Sequence, residues 1–337
     1  MRIAEINDIA SVASDLAKGL RARGHEVTVI QPRLVGGSLP WMVKPVVGPV
    51  RGVEWAQMIH QVHEGNFDAV HIHYAYLGML GVLGKFPYIL HCHGSDVREI
   101  TPFTRPMIQR ALRNAGKVFY ATPDLAAYVL SERPDAEFLP NPVDADLFRP
   151  LERADAHNSV FLCCGLADIK GAPRLLDACR RLALLRPDIK ITAIAGGDYT
   201  PEFAALPNVT LVPHRERTRL PELISQHGVV IGQVLLGVVG MAELESMACA
   251  RPVIAWFNHR GAYTEFPPFV RAVDGFDIAA AVIRLVDDGA ERQRLGEASR
   301  EWVQREHNLD DVAGRVERAA FEVAASSQRQ RPLEVSR

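Results

Sequence analysis

Two short stretches carry the residues most able to do chemistry. "FDAVHIHYAY" (67–76) contains His71 and His73, and "PYILHCHGSDVRE" (87–99) contains His91 and His93. In a β-strand alternate residues share a face, so His71 and His73 point one way, as do His91 and His93. Such pairs at strand ends suit the ligand set of a metal hydrolase. That chemistry also wants carboxylates or histidines at later strand ends, where the chain offers Gly165, Gly196 and Gln233. Ligation is therefore the weaker reading, and no metal is expected. His71 and His91 read best as neutral core histidines with one hydrogen bond each. His93 differs, because Gly94 turns the chain there. Gly94, Ser95 and Asp96 then open the next segment with free N–H groups and a carboxylate at a helix start. That arrangement fits a residue that touches a ligand.

Several other chemistries find no support. The turn after the first strand is "INDIAS", without the glycines of a dinucleotide fingerprint. "GMLGVLGKF" lacks both the first glycine and the Ser/Thr of a phosphate loop, and no G-x-S-x-G elbow occurs. The net charge of −2 argues against a nucleic-acid partner. Cys92, Cys163, Cys164, Cys179 and Cys249 mostly lie in apolar runs, and no pair has C-x-x-C spacing. They read as reduced, buried residues of a cytoplasmic protein. "MRIAEIND" has no apolar core of a secretory signal, and no uninterrupted apolar run is long enough for a spanning helix.

The elements that must position these residues alternate strand and helix. In the first half, strands are expected at 2–5, 25–30, 68–73, 88–93, 117–122 and 137–140. A helix is expected over 11–24, with Val12, Leu16 and Leu20 at helical spacing and Gly24 as its C-cap. The second half repeats the rhythm, with strands at 159–165, 189–197, 208–213, 228–233 and 251–256. Helices are expected at 172–185, 220–226 and 241–250, and two or three more reach about Ala325. Apolar strands alternating with helices mean parallel sheets covered on both faces. Two such runs in 337 residues mean two tandem doubly wound α/β domains. The expected boundaries are 1–150 and 151–310, with a helix at 311–325 packing back on the first domain and a disordered tail at 326–337. Ligands in such sheets bind beyond the strands' carboxyl ends, so the cleft between domains is the default site.

In order, "RARGHEVTVI", "FDAVHIHYAY", "LHCHGSDVRE", "LPNPVDADLFRP", "GLADIKGAPRLLDA" and "GVVGMAELESMACARPVIA" resemble retaining glycosyltransferases of family 4, with the GT-B fold of two Rossmann-like domains facing a cleft. The resemblance implies a nucleotide-sugar donor held by the second domain and a hydroxyl acceptor (glycan, lipid-linked or small molecule) held mainly by the first. It implies no cofactor or metal, because protein groups bind the diphosphate. Residue chemistry agrees: "GVVGMAELESMA" is a glycine-containing turn feeding a helix, whose N–H groups at Val239, Gly240 and Met241 can approach a diphosphate closely. Lys170 is a flexible cation placed for the leaving phosphate. Glu245 matches the family glutamate that holds the ribose, and Val212 and His214 match the segment beside the nucleobase. His93 corresponds to the histidine near the reacting carbon, with Asp96 fixing its ring or shaping the loop. Asn7 and Tyr74 fall on the acceptor side. Many relatives use lipid-linked acceptors, and the basic stretch 102–117 and the apolar stretch 38–50 would suit peripheral contact with the inner face of a membrane. An ordinary solvated helix and a packed loop explain them slightly better.

Three positions depart from the family. Gly237 stands where a glutamate usually contacts the sugar, Leu166 where an arginine usually joins the lysine, and Asn7 and Asp8 where a glycine pair is usual. Glu243 and Arg174 are candidate replacements. The departures keep a second reading open, a nucleotide-sugar binder without activity, beside the weaker metal hydrolase.

Overall fold

The computed structural model describes residues 1–33, 48–151 and 157–330. They divide into two compact units. The first comprises Met1–Pro142 with Leu309–Arg337, and the second Val143–Asn308.

The first unit is built on β1 (Arg2–Ile6), β2 (Glu26–Ile30), β3 (Ala69–His73), β4 (Ile89–Cys92), β5 (Lys117–Tyr120) and β6 (Glu137–Phe138). All pairings are parallel, in the order β2-β1-β3-β4-β5-β6. β3 and β4 are buried at every residue, as strands covered on both faces must be. The chain leaves β1 towards β2 and then returns to β3 on β1's other side. This reversal opens a crevice over the carboxyl ends of β1 and β3.

The second unit repeats the plan with β7 (Ser159–Leu162), β8 (Lys190–Ile194), β9 (Val209–Val212), β10 (Val229–Ile231), β11 (Val253–Ala255) and β12 (Val270–Arg271). Their order is β12-β11-β10-β7-β8-β9, again all parallel. Here the reversal falls between β7 and β10. Apolar residues of the helices Ala172–Leu185 and Gly275–Asp287 close one face, and those of Met241–Ala248 and Gly289–Glu306 the other.

The chain passes from the first unit to the second between Pro142 and Val143, before the expected boundary at 150. Leu309–Gln330 is one helix of 22 residues belonging to the first unit. It runs past Ala325, where a tail was expected to begin; residues 331–337 lie outside the described residues. Val312, Ala313, Val316, Ala319, Ala320 and Val323 are its buried stripe. It packs on the helix Val12–Ala22, where a Cβ at Gly19 would lie 2.8 Å from that of Ala313. At the rim Arg23 pairs with Asp310 and Glu317, and His25 Nε2 lies 2.6 Å from Glu317.

The long helix Gly48–Glu64 was not legible in the sequence. Gly48, Pro49 and Gly52 in its first turns are poor helix formers, and burial of Met58 and Val62 overrides them. The apolar stretch 38–50 was read as a loop; its residues 48–50 begin this helix, and 38–47 lie outside the described residues. Among the described residues no helix is long and apolar enough to cross a membrane.

The close helix contact gives a paired test. Gly19→Val should destabilise the first unit by about 1–3 kcal/mol through overpacking against Ala313. Gly52→Ala has nothing within 4 Å and should raise helix stability by roughly 0.5–1 kcal/mol. Urea midpoints of the two variants against the parent chain read both.

Candidate active site

At the carboxyl end of β1 a carboxylate lies inside the sheet. Glu5 has no exposure, and neither do His71, His73 and His91. Parallel register sets Glu5 beside His71 and His73 beside His91. Glu5 Oε2 accepts from His73 Nε2 at 2.7 Å and lies 3.0 Å from His71 Nδ1. Burial alone would raise Glu5's pKa. The opposing pull of His71 and His73 wins and holds it at about 2. His73 Nδ1 in turn lies 2.8 Å from His93 Nε2. His93, just past β4, is half-buried. Burial pushes it well below the ordinary imidazole value, with His73 and His71 adding to the effect. Burial likewise depresses His91 and His73.

The turn after β4 is held by Asp96. Its carboxylate accepts from the amides of Gly94 (2.6 Å), Ala75 (2.8 Å) and His93 (3.1 Å). Asp96 therefore shapes the loop, one of the two roles expected of it, and makes no bond to the His93 ring among the described residues. Asn7 and Tyr74 stand at the ends of β1 and β3, both with positive φ, 76° and 95°. For a tyrosine that conformation is strained. It is fixed by Tyr74 N donating to His91 O (2.9 Å) and by its hydroxyl 2.8 Å from Ser95 Oγ. Asn7 Nδ2 donates to His73 O at 3.0 Å. Asn7, Tyr74, His93 and Asp96 thus share one edge.

His71, His73 and His91 place ligand atoms within 4.8 Å of one another. His73, however, has both ring nitrogens engaged, by Glu5 and His93. The cluster also lies wholly inside the core, where no hydrolytic substrate reaches it.

In the second unit the carboxyl ends of β7 and β10 meet. The loop after β7 carries Lys170, whose carbonyl accepts from Val234 N at 3.1 Å. Its ammonium makes no hydrogen bond or ion pair among the described residues. Arg174 Nη1 donates to Val234 O at 2.9 Å, so it braces this loop. Leu166 is fully buried in the core. After β10 the chain runs through Gly237 (φ 70°) into the eight-residue helix Met241–Ala248. The amides of Val239, Gly240 and Met241 have no acceptor among the described residues, while the side chain of Val239 is buried. A side chain at Gly237 would collide with Asn258.

Gln233, fully buried, fixes this turn: its Oε1 accepts from Leu236 N (2.9 Å) and its Nε2 donates to Val238 O. Glu243 Oε1 accepts from Gln233 N at 2.7 Å, so Glu243 lies beneath the turn and is no substitute sugar contact. Glu245, almost buried on the same helix, accepts at Oε1 from Arg217 Nε (2.8 Å), whose guanidinium lies over Phe148. Val212 packs at the margin of the same core, and His214 is exposed. Lys170, the turn 237–241 and Glu245 form one constellation. Glu5 and Gln233 escaped the sequence reading. Glu5 was visible as the one charge in "IAEI", a run expected to be buried on both faces.

Two parallel doubly wound units, each with polar groups at its topological reversal, define the GT-B class of fold. The description "Glycosyl transferase 4-like domain" matches residues 9–142, and "Glycosyl transferases group 1" matches residues 147–302. The chain belongs to the family 4-type glycosyltransferases of that fold. Phosphatidyl-myo-inositol mannosyltransferase of Mycobacterium tuberculosis (strain ATCC 25618 / H37Rv) is 27% identical over 219 residues, 56% of this chain; the chain spans 57% of that relative's length. A GDP-mannose-dependent monoacylated alpha-(1-6)-phosphatidylinositol monomannoside mannosyltransferase of Corynebacterium glutamicum is 23% identical over 268 residues, 69% of each chain. Sucrose-phosphate synthase from Thermosynechococcus elongatus superposes with a TM-score of 0.75 at 18% identity, over 97% of this chain and 100% of its own. Anabaena HepE in complex with UDP-glucose gives 0.71 at 13%, over 95% and 99%.

The buried imidazoles set a pH dependence. His73, His91 and His93 are depressed on folding, so their stabilisation is complete above about 6.5 and is lost as pH falls below it. Glu5 adds a loss only as pH falls from 4.5 towards about 2. Amide-exchange protection of β3 and β4 should hold from pH 7.5 to about 6.5 and then fall towards pH 5.5, approaching roughly 1.4 kcal/mol per pH unit for each histidine. His91→Phe should remove one share of that slope. In the second unit, Gln233→Ala leaves the Val238 carbonyl and Leu236 amide unpaired. It should speed exchange across residues 234–239 and lower stability by about 1–3 kcal/mol.

Proposed function

We propose that the chain moves a sugar from a nucleotide-diphosphate donor to a hydroxyl acceptor, with retention at the anomeric carbon and without a metal ion. The observation that carries this reading is the turn before Met241. Its open amides stand at a helix N-terminus, with Lys170 on the adjoining loop and the Glu245 carboxylate on the same helix. Amide dipoles and an ammonium supply the positive field that a diphosphate needs. That field would stabilise the leaving group as its charge develops. Glu245, which accepts from Arg217, would also accept from the ribose hydroxyls. Retention rests on the family resemblance. His93, with Asn7 and Tyr74, would stand on the acceptor side.

The names of the relatives make GDP-mannose and an inositol lipid the first donor and acceptor to assay. Exposed Phe103 beside Arg105 and Arg110 supports peripheral contact with anionic lipid at the inner face of the membrane, with the chain acting in the cytoplasm. The binder reading is favoured by Leu166, which is lost to the core, and by the bare position 237.

A thermal-shift panel of nucleotide diphosphates and nucleotide sugars should show one nucleotide class raising the melting temperature. Glu245→Ala should weaken that nucleotide tenfold or more, roughly one charged hydrogen bond. Donor hydrolysis in EDTA, with the product anomer read by proton NMR, completes the test. Binding with no turnover across a broad acceptor panel supports the binder; an inverted anomer or a strict metal requirement overturns the mechanism.

A further inference from the structure

Glu5, His73 and His93 form a continuous chain from the middle of the first sheet to its carboxyl edge, with links of 2.7 and 2.8 Å. The chain has a direction. An ionised carboxylate only accepts, so His73 Nε2 and His71 Nδ1 carry the protons that face Glu5. A neutral imidazole has one N–H, which leaves His73 Nδ1 as a lone pair. Two lone pairs do not face each other at 2.8 Å, so His93 Nε2 carries the hydrogen and donates. His93 Nδ1 is then a lone pair, and it makes no hydrogen bond among the described residues. Burial supports the neutral state of His73 and His93. The other titratable groups around the chain include His71 on β3, His91 on β4, Asp8 after β1 and Asp96, whose carboxylate accepts from the His93 amide.

We propose that Glu5 and His73 are positioning residues that lock His93 in its Nε2–H tautomer, so that Nδ1 meets the substrate as a hydrogen-bond acceptor and selects a carbohydrate hydroxyl over a phosphate or carbonyl oxygen. A phosphate or carbonyl oxygen brings a second lone pair to Nδ1 and is repelled; a hydroxyl brings a proton. Glu5 and His73 touch no ligand and act only through His93. The functional part rests on the glycosyl-transfer reading, whereas the tautomer does not.

The test uses the full chain labelled with ¹⁵N-histidine, at pH 7.5, without ligand. Two-bond ¹H–¹⁵N correlation should show His73 and His93 both as Nε2–H forms. His93 found as the Nδ1–H form, or doubly protonated, overturns the proposal. Glu5→Leu removes the acceptor that fixes His73 Nε2–H, so both rings should lose the fixed Nε2–H form and populate Nδ1–H. Sugar transfer should then fall about fivefold to tenfold in kcat/KM, one hydrogen bond's worth, with nucleotide diphosphate affinity unchanged. His73→Asn restores an acceptor for His93 Nε2 and should return the Nε2–H form. A Glu5→Leu protein with His93 unmoved refutes the coupling. An empty nucleotide panel with the tautomers as assigned refutes the glycosyl-transfer reading, and with it the proposed hydroxyl selection, and leaves the lock standing.

Discussion

A carboxylate with no exposure, inside a parallel sheet, constrains the groups at the carboxyl edge of the first unit. Moving such a group out of water costs several kcal/mol unless charged or hydrogen-bonding partners replace the solvent. The fold supplies them from the neighbouring strand, because parallel register brings His71 and His73 alongside Glu5. Once His73 is bound to Glu5, only one of its nitrogens remains, and His93 takes it. The orientation of a half-buried ring at the rim is thus set by a charge that no ligand reaches.

The second unit solves a related problem with backbone. A tight turn that leaves its amides open needs something beneath it to keep its shape. Gln233 and Glu243 do this from inside, bonding Leu236, Val238 and the amide of residue 233. Both units therefore place a fully satisfied polar group under the strand ends and an unsatisfied one above. The buried member gives rigidity, and the open member is left for chemistry.

Much of this was legible in the sequence. The parallel sheets followed from continuous apolar strands, and the doubly wound plan from their alternation with helices. The histidine at the turn and the glycine turn before Met241 were visible as residue types at strand ends. What escaped was cross-strand pairing. Glu5 and His73 are 68 residues apart, and no local pattern announces that they touch. Glu243 and Arg174 illustrate the same limit: their charges suggested ligand contact, while their positions put them to bracing loops. The fate of Leu166 was also a matter of packing, since position alone did not say that it points inward.

The return of Leu309–Gln330 to the first unit has an effect on how the protein is made. The second unit is one uninterrupted segment and can close its core as it emerges from the ribosome. The first unit lacks the helix that covers Gly19 until residues 309–330, which follow the whole second unit, are translated. Its sheet must wait, with apolar surface open, while the whole of the second unit is synthesised. That order makes the nascent first unit the natural client of chaperones, and premature termination before residue 309 the defect that would leave it incomplete.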